Sequence, residues 1–351
     1  MGASLLLAAA AQAEHGTRVE PGENTLQEAV AAAAPGDTLL LQPGLYLVSS
    51  TVLIDKDLTI KGSTGNPKDV HIAARTDEFE FHETEPPFDV ETNRGHLLFA
   101  CNGLGGCEEG ATKVTLAYFT IKNAPESPPF DREEGACTEP VDAGGLGLNL
   151  TECFGDAIHA DGVAEVVVRH VEASLNAGNG IFVNGATKAK FRDILAVNNG
   201  AFGIDVDTAL DLSIRRSTFT ANQISGLEAS GHAPGLHRAD YVADVEIRDT
   251  LAKGNGEIGI EVERFRRAKL KDVRSTDNRE DGFDADRVSE VVISDSAFRN
   301  NLDDGLELFP FALEDPNEQP IDFPGSIIED FDDLKFSGNV ADDIDHAPTE
   351  N

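Results

Sequence analysis

Asn176-Ala-Gly-Asn-Gly180-Ile-Phe-Val-Asn184, Asn199-Gly-Ala-Phe-Gly203-Ile-Asp-Val-Asp207 and Asn222-Gln-Ile-Ser-Gly226-Leu-Glu-Ala-Ser230 are one phrase written three times, 23 residues apart. Taking the residue before each apolar pair as an anchor extends the phrase to Ala157, Gly180, Gly203, Gly226, Gly259, Gly282 and Gly305. The intervals are 23, 23, 23, 33, 23 and 23, so one ten-residue insertion interrupts an otherwise fixed register. After the anchors stand Ile158, Ile181, Ile204, Leu227, Ile260, Phe283 and Leu306, and four residues before them runs a column of Asn176, Asn199, Asn222, Asn255, Asn278 and Asn301. A fixed period of this length signals a solenoid, whose units bury their apolar faces only by stacking.

Within each unit, short stretches of alternating polarity are separated by Gly, Asn and Asp turns, the signature of strands. Asn tolerates left-handed turn geometry, and stacked amides can bond from one coil to the next. The Leu-x-x-Leu-x-Leu pattern of leucine-rich repeats is absent, and the period is too short for ankyrin or tetratricopeptide arrays. The expected fold is all-β: a right-handed, single-stranded parallel β-helix with coils of about 23 residues.

Upstream, Thr25 to Ala34 reads as a capping helix, with Thr25 as N-cap and Glu28 three residues on. It is followed by Pro35-Gly36-Asp37-Thr38, Pro43-Gly44-Leu45-Tyr46 and Leu58-Thr59-Ile60-Lys61-Gly62. That order resembles the start of the pectin-lyase-like superfamily, and the resemblance covers about residues 20–73 and 155–310. It implies the β-helix fold, and it leaves open lyases, hydrolases, epimerases and non-catalytic members.

The expected organisation is a signal peptide over 1–13, a cap helix and first coils over 14–75, and a loop-rich insertion over 76–154. Regular coils follow over 155–310, then an acidic tail over 311–351 with a last partial coil near Asp333–Val340. The apolar start ending in Ala11-Gln12-Ala13 predicts export, to the periplasm or outside the cell. Cys101, Cys107, Cys137 and Cys153 then read as two disulfides. Three pairings are possible, of which Cys101–Cys107 with Cys137–Cys153 is the most local. No stretch is long and apolar enough to span a bilayer. With 63 acidic against 28 basic residues and a formal charge of −35, a nucleic-acid partner is not expected. Asn149-Leu-Thr151 has the form of a glycosylation sequon.

Strand alternation sends the residues between the apolar columns outward. One outward column is His159, Phe182, Asp205, Glu228, Glu261, Asp284 and Glu307; the next is Asp161, Asn184, Asp207, Ser230, Glu263, Asp286 and Phe309. Coils stack about 4.8 Å apart, so carboxylates recur at that spacing and must be relieved by protons, cations or basic partners. Candidate Ca²⁺ ligands are Asp205, Asp207, Glu228, Glu261, Glu263, Asp284 and Asp286. Candidate contacts to a polysaccharide or cell-surface glycan are Asp205, Glu228, Glu261, Asp284, Glu307 and Arg264, with Arg287 the other nearby base. A solvated acidic face is the alternative. A column of Arg169, Arg192, Arg215, Arg248 and Lys271 falls on another face, as charge balance with Asp193, Asp249, Asp272 and Asp295.

Asn278-Arg-Glu-Asp281-Gly282-Phe283-Asp284, followed one coil later by Asn301-Leu-Asp303-Asp304-Gly305, resembles the polygalacturonases. The resemblance implies Asp281, Asp303 and Asp304 as catalytic carboxylates, activating water and protonating the leaving oxygen. The Gly-His-Gly and Arg-Ile-Lys segments of that family do not follow. His232 and His237, in the ten-residue insertion, are further acid–base or metal candidates, and His159 is another. Two readings therefore stand side by side: a carbohydrate-active lyase or hydrolase, and a non-catalytic binding or structural β-helix.

Overall fold

The computed structural model describes residues 16–75, 96–102, 110–124, 155–231, 242–309, 328–341 and 344–346. Among these, every strand pairing between coils is parallel. Two surfaces result. A front sheet of ten strands runs from Val52–Ile54 through Leu98–Cys101, Ile158–Asp161, Ile181–Asn184, Ile204–Val206, Leu227–Ser230, Ile260–Glu263, Phe283–Asp286 and Leu306–Phe309 to Ile344–His346. A 19-stranded sheet forms the back. The chain is a parallel β-helix, as the repeat demands.

The interior is one continuous aliphatic and aromatic cluster, from Val19 to Leu308. The repeat columns explain it: Ile181, Ile204, Leu227, Ile260 and Phe283 pair in register and point inward. The anchor glycines permit close stacking, because a Cβ on Gly203 would lie 2.5 Å from the carbonyl oxygen of Gly226. At the turn before each anchor the asparagines form an amide ladder. Asn176 Nδ2 donates to Asn199 Oδ1 at 2.9 Å, and the pattern repeats to Asn222, Asn255, Asn278 and Asn301 at 3.0–3.1 Å. The ten-residue insertion leaves this ladder unbroken. A further rung, Asn301 to Asn339 at 3.3 Å, lies 38 residues on and escaped the 23-residue reading.

Two expectations change. The cap helix spans Thr25–Ala32, and its N-cap is Asn24 in a left-handed conformation (φ 57°), not Thr25. Thr25 Oγ1 instead donates to the Glu20 carbonyl, and Asn24 Oδ1 accepts from Gln27 Nε2 and from Ser49, so no capping box forms. The helix still does its covering work, with Leu26 and Val30 buried against the core. Within 76–154, expected to carry a coil or two with long loops, the described residues include the strands Leu98–Cys101 and Lys113–Lys122 of one coil. The last coil is also fuller than expected, with strands Ile328–Asp332, Lys335–Ser337 and Ile344–His346 stacked on the one before. Residues 1–15, which hold the expected signal peptide, lie outside the described residues, as does the sequon at Asn149. No helix among the described residues is long and apolar enough to cross a membrane.

Candidate functional site

Register assembles the outward column of the front sheet as the sequence arranged it. Phe99 pairs with His159, His159 with Phe182, Phe182 with Asp205, Asp205 with Glu228, Glu228 with Glu261, Glu261 with Asp284, and Asp284 with Glu307. The column is aromatic at its N-terminal end and acidic towards the C-terminal end. It is not a solvated face. Asp205 and Asp284 keep only 4% and 7% of their surface exposed, and Glu228, Glu261 and Glu307 are half-buried, while Asp207 is exposed. Strand alternation tells which side of the sheet a residue takes, and says nothing of what covers it.

Burial and crowding reshape the acidity of this stripe. Burial, then the charges of Glu228 and Asp207, hold the Asp205 carboxyl well above the usual carboxylate range. Burial with Glu263 nearby pushes Glu228 up to about 7. Burial beside Glu228 and Glu263 takes Glu261 to about 8, and burial beside Glu261 and Glu307 takes Asp284 to about 9. Asp284 Oδ1 has no hydrogen-bond partner among the described residues. Desolvation disfavours the charged form and adjacent carboxylates disfavour it again. At neutral pH Asp205, Glu261 and Asp284 therefore favour the neutral form, while Glu228 is divided between its two forms.

Two arginines border it. Arg264 Nη1 donates to Glu263 Oε1 at 2.7 Å and Nη2 to Ser230 Oγ at 3.0 Å. Arg287 Nη2 donates to Glu263 Oε1 at 2.8 Å and Nε to Asp286 Oδ2 at 2.7 Å. Both sit at left-handed corners, φ 55° and 53°, where the preceding coils have Gly162 and Gly185. These cations offset the rise at Glu263, whose carboxyl is still raised by burial.

Asp281, Asp303 and Asp304 come together, one oxygen of each lying within 4.8 Å of the others. Asp281 Oδ1 accepts the backbone N–H of Asp304 at 2.8 Å, yet burial raises its pKa above the ordinary value. Asp281 and Asp304 are buried and Asp303 is exposed. Glu257 and Glu280 precede Asp303 in one corner column at the 23-residue period, a row the sequence reading missed. Both are raised by burial, Glu280 also by Glu257 and Asp303. His232 and His237 lie outside the described residues, as do Cys107, Cys137 and Cys153; Cys101 is buried at the end of its front strand. A second cluster, His96 with Asp156 and His159, is wholly buried. Only His159 stood out in the sequence.

The sequence matches the family described as "Right handed beta helix region" over residues 147–237. This match covers part of the coil region and agrees with the right-handed parallel β-helix fold. No curated protein matches it. Among solved structures, it is similar to the A-module of the mannuronan C-5 epimerase AlgE4 of Azotobacter vinelandii, at 13% identity and TM-score 0.48. That match covers 94% of this chain and 95% of the other. A double mutant of the periplasmic alginate epimerase AlgG matches at 13% identity and TM-score 0.46, covering 95% and 81%. The PL6-family alginate lyase AlyGC matches at 13% identity and TM-score 0.41, covering 94% of this chain and 39% of that one.

Proposed function

We propose that this β-helix is exported and acts on a polysaccharide laid along the acidic front sheet, by lyase- or hydrolase-type chemistry. The observation that carries the reading is the repeat of the stripe itself. Carboxyl groups recur coil after coil, about 4.8 Å apart, and four of them are held in environments that raise their pKa values. A linear polymer of like units is the ligand whose periodicity such a surface can meet repeatedly. Protonated carboxyls donate hydrogen bonds to sugar hydroxyls or carboxylates, and Arg264 and Arg287 supply positive charge beside them. Groups with strongly perturbed acidity in one place are the usual mark of acid–base chemistry.

In this reading Asp281, raised by burial, is the proton donor, and Asp303 with Asp304 activates water. Ca²⁺ held by Asp205, Asp207, Glu228, Glu261, Glu263, Asp284 or Asp286 would supply charge neutralisation for an acidic glycan. The even spread of acids favours a second reading, a non-catalytic binding or structural protein on the same glycan-facing sheet.

A polysaccharide panel separates the two, with reducing ends reporting hydrolysis and ultraviolet absorbance of unsaturated uronates reporting elimination. Under the first reading, turnover falls in Asp281→Asn, Asp303→Asn and Asp304→Asn, by the roughly 10²–10⁴-fold that general acid–base groups contribute. Retained activity in all three ends the assignment. Binding without turnover on any substrate establishes the second reading.

A further inference from the structure

The two outward columns of the front sheet differ in how their polar atoms are satisfied. In the second column Asn184 donates to Asp161 at 3.2 Å and Ser230 to Glu263 at 3.0 Å. Arg264 and Arg287 close on Glu263 and Asp286 in the same column. In the first column Asp205, Glu228, Glu261 and Asp284 make no hydrogen bond or ion pair among the described residues. Asp284 is buried, and its Oδ1 is enclosed without a partner. A carboxyl taken out of water and left unpaired costs stability.

What this column lacks is positive charge. The front strands carry acids from Asp161 to Asp345 and no Lys or Arg. The back strands hold Lys188, Arg192, Arg215, Arg267 and Lys271, among others. Arg264 and Arg287 are already engaged, and Arg264 draws Glu228 down by less than Glu263, Asp207 or Glu257 raises it. An anionic polymer laid here would suppress ionisation of the column further and gain no ion pair. A cationic one brings N–H donors and the charge that lets neighbouring carboxyls ionise together.

We infer that the polysaccharide is an amine-bearing one, a polymer of amino sugars whose ammonium groups seat on Asp205, Glu228, Glu261 and Asp284. The inference rests on the polysaccharide reading and narrows it. The ammonium groups of the polymer take the place that Ca²⁺ would hold with an acidic glycan. One unpaired carboxyl per coil suits a chain with one amine per sugar. Phe182, half-buried beside Asp205 in register, continues the row with an apolar ring on which a sugar face packs.

The experiment measures binding of short oligomers to the full chain by calorimetry, at about 0.15 M salt to screen long-range attraction. The probes are β-1,4-linked glucosamine oligomers, their N-acetylated counterparts, oligouronates with and without Ca²⁺, and oligolysine. Glucosamine oligomers should bind in the presence of a chelator, and every other probe more weakly by roughly tenfold or more. Glu261→Gln with Asp284→Asn should weaken that binding by roughly 10–100-fold, the value of charge-assisted hydrogen bonds. Asp249→Asn with Asp272→Asn removes the same charge from exposed positions on the back and should leave it unchanged. Equal losses in the two pairs, or oligolysine bound as tightly as the amino sugar, would mark general attraction to an acidic protein and overturn the inference. Preference for the N-acetylated oligomer, or for the oligouronate with Ca²⁺, overturns it and leaves the polysaccharide reading standing. Binding of none of the sugars ends both. The ranking on wild type decides the matter even where a variant fails to fold.

Discussion

The front and back sheets are made by the same repeat and solve the problem of stacked charge in opposite ways. On the back, unlike charges meet at the surface. Arg216 forks onto Asp193 at 2.7 and 2.8 Å, Arg266 onto Asp244, and Glu246 lies between Arg215 and Arg248. Hydrogen bonds from those guanidinium groups hold the carboxyls of Asp193 and Glu246 below the usual range, outweighing partial burial. On the front, like charges meet under cover and the carboxyls rise. Exposed ion pairs contribute little, typically 0–1 kcal/mol, and are the ordinary finish of a solenoid surface. Burying carboxyls against one another works against folding whenever they ionise.

The contrast breaks most visibly with pH. In the presence of a chelator, the front carboxyls bind protons more tightly folded than unfolded. Their contribution is complete at acid pH and is lost as pH rises through about 7 for Glu228, 8 for Glu261 and 9 for Asp284. Asp193 and Glu246, lowered in the fold, contribute above their unfolded values and lose that contribution only as the solution is acidified. Thermal melting followed between about pH 5 and 9 should therefore show stability falling by several kcal/mol as pH rises. Ca²⁺ should recover part of the loss at the alkaline end if it binds the stripe. A flat profile would mean that the front carboxyls titrate as ordinary surface acids.

A single substitution sharpens the comparison. Asp284→Asn removes a carboxyl that folding forces to keep its proton and should stabilise the protein near pH 8 by about 1–3 kcal/mol, with little change at pH 5. Equal effects at both pH values would dissociate Asp284 from the slope. The smallest effect belongs to the back sheet, where Arg216→Ala should lower the melting temperature only slightly, and by still less in salt. A loss several times larger would show that the back-sheet pairs are structural in their own right.

Much of this was legible because the repeat acts as an internal alignment. The anchors, the inward columns and the Asn ladder up to Asn301 follow from counting, and so does the order of the acidic column. Elements out of period were hidden: His96 belongs to a coil whose front strand begins 60 residues before the next, since Leu98 pairs with Ile158. Asn339 lies beyond a 38-residue gap. Asp156 stands just before the first anchor, where the repeat singles out no residue, and its second oxygen lies between two imidazoles. Asn24 displaced Thr25 as N-cap because its side chain is committed to Ser49 and Gln27, contacts that no local motif encodes.

The amide ladder also sets how the molecule answers force. Its rungs run parallel to the solenoid axis and are bonded in series, Asn176 to Asn199 and onward to Asn339. Tension along the axis loads every coil boundary equally, so the weakest boundary parts first and the rest relax. Tension across the axis shears many strands at once. A polymer dragged along the front sheet would pull in the first direction, and one peeled from it would load the second, where the fold resists most.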